Sequence, residues 1–422
     1  MVGYVSTRGS GPVSLEEAVL QGLPPDGGLY VPTCLPEFNW PPPDVVSTPQ
    51  WATPLLVPDL ELEVARSVAT DACNFPFPLI ELDDGRFVLE LFHGPTHAFK
   101  DVGARFMAGL VSRIVSESGR SVTVLVATSG DTGGAVANAF LGRSGTRVVA
   151  LFPQDGVSDR QRRQMTTLGD NVDAVAVRGT FDDCQRLVKA AFVHEQISHS
   201  HALTSANSIN VARLLPQAIY FLEATRHLAE PAHFVVPSGN LGNLCAGLIA
   251  ANAGMPHAGF TAAFNRNHGV ADFLRGGTFQ ARASVSTVSN AMDVGDPSNL
   301  ERIRWLYGND DDAVRHDVRG DWVSDEETLS TMAEVHARTG YVLDPHTAVA
   351  YAAASRHDAA SGPIVTLATA HPAKFPDVVQ RAIGAPIESP LTMLKAGEKN
   401  EEMSTIRPTL EELWDLLDRR HP

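Results

Sequence analysis

Lys100 stands near the end of the segment HGPTHAFKD (residues 93–101), between Phe99 and the start of a helical apolar stripe. Apolar neighbours and a positive helix end both disfavour an ammonium, so an amine there loses its proton more readily than a surface lysine. A neutral amine can attack an aldehyde and form a Schiff base. A solvent-exposed first-turn lysine accounts for the same residues. In ATSGDTGGA (residues 127–135), Ser129, Thr132 and the glycine amides around Asp131 make a turn that receives a carboxylate or phosphate. A plain tight turn before a helix reads the same way.

PSGNLGN (residues 237–243) carries Gly239, Asn240, Leu241, Gly242 and Asn243, which can present several backbone amides to one phosphate. It is neither a Walker A sequence nor a G-x-G-x-x-G fingerprint. TSANSINVAR (residues 204–213) adds Ser205, Asn207, Ser208, Asn210 and Arg213, or simply a polar helix N-cap. LDPHTAVA (343–350) and TLATAHPAKF (366–375) bring His346, Thr369, His371 and Lys374. The two histidines read equally well as satisfied buried residues.

These segments need elements that hold them together. Val102, Phe106, Leu110 and Ile114 recur every four residues and predict one helix ending at Gly119. Residues 121–128, 147–152, 172–177, 233–238 and 364–368 are apolar, β-branched runs suited to buried parallel strands. Helices are expected over 181–196, opened by a Thr180–Asp183 capping-box spacing, and over 242–253. Alternating strands and helices imply a mainly parallel sheet with right-handed crossovers, where ligands bind at the carboxyl ends of strands. Residues 24–58 are proline-rich and read as a wrapping segment without long helices or central strands. Leu413, Trp414, Leu416 and Leu417 predict a short amphipathic closing helix after about residue 387.

With 422 residues the chain can hold two to three domains. Its net charge of −16 leaves no basic stripe for nucleic acid. No run of 18 apolar residues offers a membrane span, and residues 1–10 lack a secretory apolar stretch. The four cysteines are far apart, which points away from disulfides and thiolate zinc and toward a cytoplasmic setting. His194, His199 and His201 cluster without metal-site spacing, so no metal is expected. Asp131-Thr132-Gly133 spells the D-T-G of aspartic proteases, yet a dyad needs a second copy and none occurs.

A lysine to condense with an aldehyde, a glycine loop for a phosphate and a hydroxyl for a ring together describe pyridoxal phosphate. The motifs HGPTHAFKD, TSGDTG, NSIN, PSGNLGN, SNAMDVGDPSN, DPHTAVA and ATAHPAKF stand in the order found in threonine synthases. From about residue 27 to 387 the chain resembles the longer bacterial and fungal branch of that family. The resemblance implies an α/β, fold type II pyridoxal phosphate enzyme, with two parallel-sheet domains and the cofactor between them. It implies an N-terminal wrapping domain at 1–85 and a smaller mobile domain at 120–205. The large cofactor-binding domain would comprise 86–119 and 206–386, and a tail helix 387–422.

By the same resemblance Lys100 is the Schiff-base lysine, and Gly239, Asn240, Leu241, Gly242 and Asn243 form the phosphate loop. Thr369 faces the pyridine nitrogen, where a neutral hydroxyl moderates the electron sink. Asp131 joins the cofactor-binding set, and Ser129 and Thr132 lie near the substrate carboxylate. Two residues depart from the family pattern, His97 and Leu241, the latter in place of phenylalanine. The implied reaction turns O-phospho-L-homoserine and water into L-threonine and phosphate. Lys374, Arg213, Ser205 and Asn207 are the residues expected to hold the substrate phosphate. The chain is expected to act as a monomer or homodimer on a small molecule. A fold type II serine/threonine dehydratase or β-replacing synthase is the alternative.

Overall fold

A computed structural model describes residues 3–35, 37–42 and 46–419, apart from the side chain of His199. Pro36 and Pro43 of the proline-rich stretch lie outside the described residues. The N-terminal part opens with β1 (Tyr4–Ser6) and β2 (Tyr30–Pro32), an antiparallel ribbon. Between them, the helix Leu15–Gln21 is opened by a Ser14–Glu17 capping box. Its carbonyl at Val19 accepts from Thr204 Oγ1 and Asn210 Nδ2, so this segment wraps onto one wall of the central cleft. The proline-rich stretch also holds a nine-residue helix, Thr48–Leu56, with Pro54 inside it.

The larger sheet contains β3 (Leu79–Asp83), β4 (Arg86–Glu90), β9 (His233–Pro237), β10 (Gly259–Phe264), β11 (Val318–Trp322) and β12 (Ile364–Ala368). Their order is β11-β10-β9-β12-β4-β3, parallel except for β3. β3 therefore forms the edge of this sheet although it falls within residues 1–85.

The smaller sheet contains β5 (Val122–Ala127), β6 (Thr146–Pro153), β7 (Val172–Val177), β8 (Leu203–Ser205) and β13 (Ser404–Ile406). Its order is β13-β7-β6-β5-β8, all parallel. Every residue of β5 is buried, Thr123 included, as a mostly apolar strand between helical layers must be.

Two local readings change. The helix expected over 181–196 stops at Val193, where His194 turns extended, and a second short helix, Glu195–Ser200, follows. The tail holds more than one helix. Leu391–Gly397 and Leu410–Asp418 flank β13, which extends the smaller sheet beside β7. The closing helix buries Leu413 and Leu417 against that sheet. The expected stripe does form the helix Lys100–Ser118, ended by Gly119 at φ +65°. It connects β4 of the larger sheet to β5 of the smaller one, so its first residue stands at the junction of the two.

Candidate active site

One cavity collects turns from both sheets. Lys100 enters at the first turn of the junction helix, with Nζ 5.0 Å from the Phe99 ring centre. Loss of water lowers its pKa most; Asp131 opposes that, and Lys374 and Arg213 add to it, leaving a value of about 8. The amine is thus uncharged at a lower pH than an ordinary lysine.

The turn after β5 supplies Ser129, Asp131 and Thr132 to the cavity. Thr128 shapes it: its Oγ1 accepts from the amides of Gly130 (2.9 Å) and Gly133 (2.8 Å). Burial would raise the Asp131 carboxyl, but the ammonium of Lys374, then Lys100, outweighs it and holds the group well below the usual carboxylate range. Asp131 Oδ1 lies 2.7 Å from Lys374 Nζ.

The loop Gly239 to Asn243 follows β9, lines the cavity and opens the helix Gly242–Asn252. Its asparagine side chains build the loop itself. Asn240 donates to Ser208 Oγ (2.8 Å) and accepts from the Ser298 amide (2.6 Å), and Asn243 donates to Pro237 O (2.9 Å). What the loop can offer a ligand is therefore its main chain at a helix N-terminus, which suits a phosphate. Space is tight behind it: a Cβ on Gly239 would stand 3.0 Å from Met292 Cα and 3.1 Å from Ala291 O. The two departures, His97 and Leu241, both adopt left-handed backbone, φ +58° and +60°. Burial, then the neighbouring His371 and Lys374, push His97 down to about 4, so it stands uncharged beside the Lys100 turn.

Thr369, 6% exposed, follows β12 and lines the same cavity. Arg213 is buried and lines the cavity; it donates from Nη1 to Ala206 O, while its Nε has no partner among the described residues. Burial lowers its pKa to about 10, still far above neutrality. Asn207 lines the cavity with its amide bonded to both backbone groups of Ala127.

Two expected substrate-phosphate residues are placed elsewhere. Ser205 is fully buried under the cavity wall and bonds within the 205–207 turn. Lys374 is fully buried, with its ammonium committed to Asp131 and Thr96 O. A burial and a pairing across 243 residues leave no trace in local sequence, which is why both were read as open to the ligand.

Ser208, also of the 204–213 segment, accepts at Oγ from Asn240 and Asn299, leaving its hydroxyl hydrogen for a ligand. The geometry also adds residues. Gln185 and Gln217 line the cavity as well; nothing in their local sequence separates them from ordinary helix residues. His346 is a satisfied histidine: Nε2 accepts from the Ala291 amide (3.1 Å), so the proton sits on Nδ1 and is shared with Asp344 (2.8 Å). His194 packs on Trp414 and His201 faces Asp418, and among the described residues no cluster of three metal-ligating side chains occurs.

The donor set fits pyridoxal phosphate. A depressed amine, a main-chain phosphate cradle and the Thr369 hydroxyl line one cavity, and a guanidinium nitrogen without a partner among the described residues remains for a second anion.

Comparison with known proteins agrees. The profile of pyridoxal-phosphate dependent enzymes matches residues 76–370. Those of the threonine synthase N terminus and the threonine synthase C-terminal region match residues 3–44 and 347–416. The threonine synthase of Serratia marcescens is 40% identical over 96% of this chain and 96% of its own length. That of Escherichia coli K12 is 40% identical over 90% of each chain. The crystal structure of threonine synthase from Escherichia coli superposes with a TM-score of 0.93 at 36% identity, covering 99% of this chain and 100% of its own. The pyridoxal-phosphate-bound threonine synthase from Brucella melitensis gives 0.90 at 34% identity, covering 99% of each. Among the described residues no helix is long and apolar enough to cross a membrane.

Proposed function

The chain belongs to the pyridoxal-phosphate-dependent threonine synthase family, and from that premise we propose how its own residues turn O-phospho-L-homoserine and water into L-threonine and phosphate. The enzyme is a lyase by reaction type, and the dehydratase or β-replacing alternative is not favoured by its relatives. The observation that carries the residue assignment is one cavity holding both a lowered lysine amine and a glycine cradle.

Lys100, Thr369 and the loop Gly239 to Asn243 would hold the cofactor, which supplies an electron-withdrawing ring for charge left at the substrate's α-carbon. Lys100 Nζ takes the α-proton, a β-proton leaves as the γ-phosphate departs, and Lys100 later returns protons to the carbon chain at the γ- and α-carbons. Its low pKa suits that work, because the amine must be a base in one step and an acid in another. Ser129 and Thr132 orient the substrate carboxylate from the turn after β5. Arg213, with the Ser208 hydroxyl and Asn207 beside it, holds the substrate phosphate while the bond to the γ-carbon breaks. Water then adds at the β-carbon. Residues 120–205 act as the smaller, mobile unit, and its closure keeps bulk water from diverting the reaction to a keto acid.

Recombination of the cofactor-free chain with pyridoxal phosphate needs the uncharged amine of Lys100. Its rate should therefore rise with pH and level off above about 8, the value to which burial brings that amine; stopped-flow absorbance reads it. A rise continuing to the range of an ordinary lysine would show that the reacting amine is exposed.

The reading is tested by incubating the purified protein with O-phospho-L-homoserine, and separately with serine and with threonine. Phosphate and threonine should form in equal amounts from the first, with no keto acid from the others. Keto acid from serine or threonine at a comparable rate would favour the dehydratase.

A further inference from the structure

The two sheets are joined at a buried ion pair. Asp131 opens the helix after β5 in the smaller sheet, and Lys374 follows β12 in the larger one. Nζ and Oδ1 are 2.7 Å apart, and the side chains are 0% and 3% exposed for Lys374 and Asp131. Neither is left to serve a ligand alone. Asp131 Oδ1 also accepts from Gln161 Nε2 (3.0 Å), and Lys374 Nζ also donates to Thr96 O (3.0 Å).

Thr96 belongs to the turn that ends in Lys100. Its carbonyl receives a second donor from the smaller unit, Gln164 Nε2 at 2.9 Å. Its amide and hydroxyl donate to the two oxygens of Asp101, at 2.9 and 2.5 Å, and Asp101 is the residue next to Lys100. The helix Asp159–Thr166 and its cap reach the same place twice more, Ser158 Oγ to Lys374 O (3.3 Å) and Arg160 Nη1 to Ala373 O (2.8 Å). The turn is therefore held from both sheets, and the ion pair is the charged centre of that junction.

A buried ion pair contributes little net stability, because desolvation of both charges offsets most of their attraction. Its geometry is another matter, since each charge finds its direct ion-pair partner only beside the other. We propose that Asp131 and Lys374 are a positioning pair for Lys100, fixing the turn that carries it between the two sheets so that its amine is delivered to one place in the cavity. This rests on the reading of Lys100 as the amine that moves the substrate's protons. The pair also acts on that amine with opposite signs, Asp131 favouring the ammonium and Lys374 opposing it.

The test uses full-length Asp131→Asn, Lys374→Met and the double variant. Borohydride reduction of each cofactor-loaded protein, followed by peptide mass analysis, should mark Lys100 in all; a mark on another lysine defeats the underlying reading and not the pair. Each single variant should lose about 100-fold in kcat, the scale of a small misplacement of a reacting group, with KM changed less than about 3-fold. The double variant leaves neither charge alone, so its Tm should recover toward that of the parent while kcat stays at least about 30-fold down. In the cofactor-free chain, the pH midpoint for acylation of Lys100 should move down from about 8 in Asp131→Asn and up in Lys374→Met. Recovery of kcat together with Tm in the double variant would make the pair purely structural and overturn the proposal. So would unchanged kcat in both single variants, a KM increase at constant kcat in Lys374→Met, or midpoints that do not move in opposite directions.

Discussion

Replacing Lys100 by alanine is expected to lower threonine formation by about 10⁴-fold, or roughly 5.4 kcal/mol of barrier, the upper end for loss of one general acid–base group. The same change should abolish the visible absorbance that the lysine-bound cofactor gives. Lys100→Ala removes the amine whose pKa burial brings to about 8, and none of the other residues assigned to the cavity carries a neutral amine to replace it. Added methylamine should restore part of the rate, because a small free base can occupy the space left by the side chain. Retention of both the absorbance and the activity in the alanine variant would show that another group does this work. A circular dichroism spectrum matching the parent's is the control for folding.

Arg213→Met is expected to lower kcat/KM for O-phospho-L-homoserine by about 100-fold, close to 2.7 kcal/mol, the range of a hydrogen bond to a charged group. The guanidinium is buried, one nitrogen is held by Ala206 O, and Nε has no partner among the described residues. An anion arriving in the cavity would give that nitrogen its acceptor. Because the phosphate is bound before and during its departure, KM should rise and kcat fall. Arg213→Lys should recover little, since an ammonium cannot reproduce the planar fork. Competitive inhibition by inorganic phosphate provides a second reading: its inhibition constant should rise in step with KM. If phosphate inhibits parent and variant equally, Arg213 does not hold it, and the role passes to Ser208 and its neighbours.

Much of this site could be read from the chain because its chemistry lies in strand–turn–helix units. Gly239 to Asn243 follows a β-branched run and opens a helix, so the loop and its place at a helix N-terminus were legible. The same holds for the turn after β5 and for Lys100 at the head of a clear apolar stripe. What escaped depends on contacts across long separations. Lys374 looked like a free cation, yet its partner, Asp131, opens a helix of the other unit. Ser205 looked like an open hydroxyl, yet it is buried. β13 is three residues long and gains its strand character only from pairing with β7. Gln217 stands in a short 3-10 turn among apolar residues, and only packing brings it to the cavity.

The central claim is that this chain breaks a carbon–oxygen bond at one carbon of its substrate and makes another at the neighbouring one. Turnover of O-phospho-L-homoserine in water enriched in oxygen-18, read by mass spectrometry of both products, tests it most directly. Threonine should carry one heavy oxygen in its hydroxyl, and the released phosphate should carry none. Heavy oxygen in the phosphate, with unlabelled homoserine as the other product, would mean hydrolysis at phosphorus and would contradict the account.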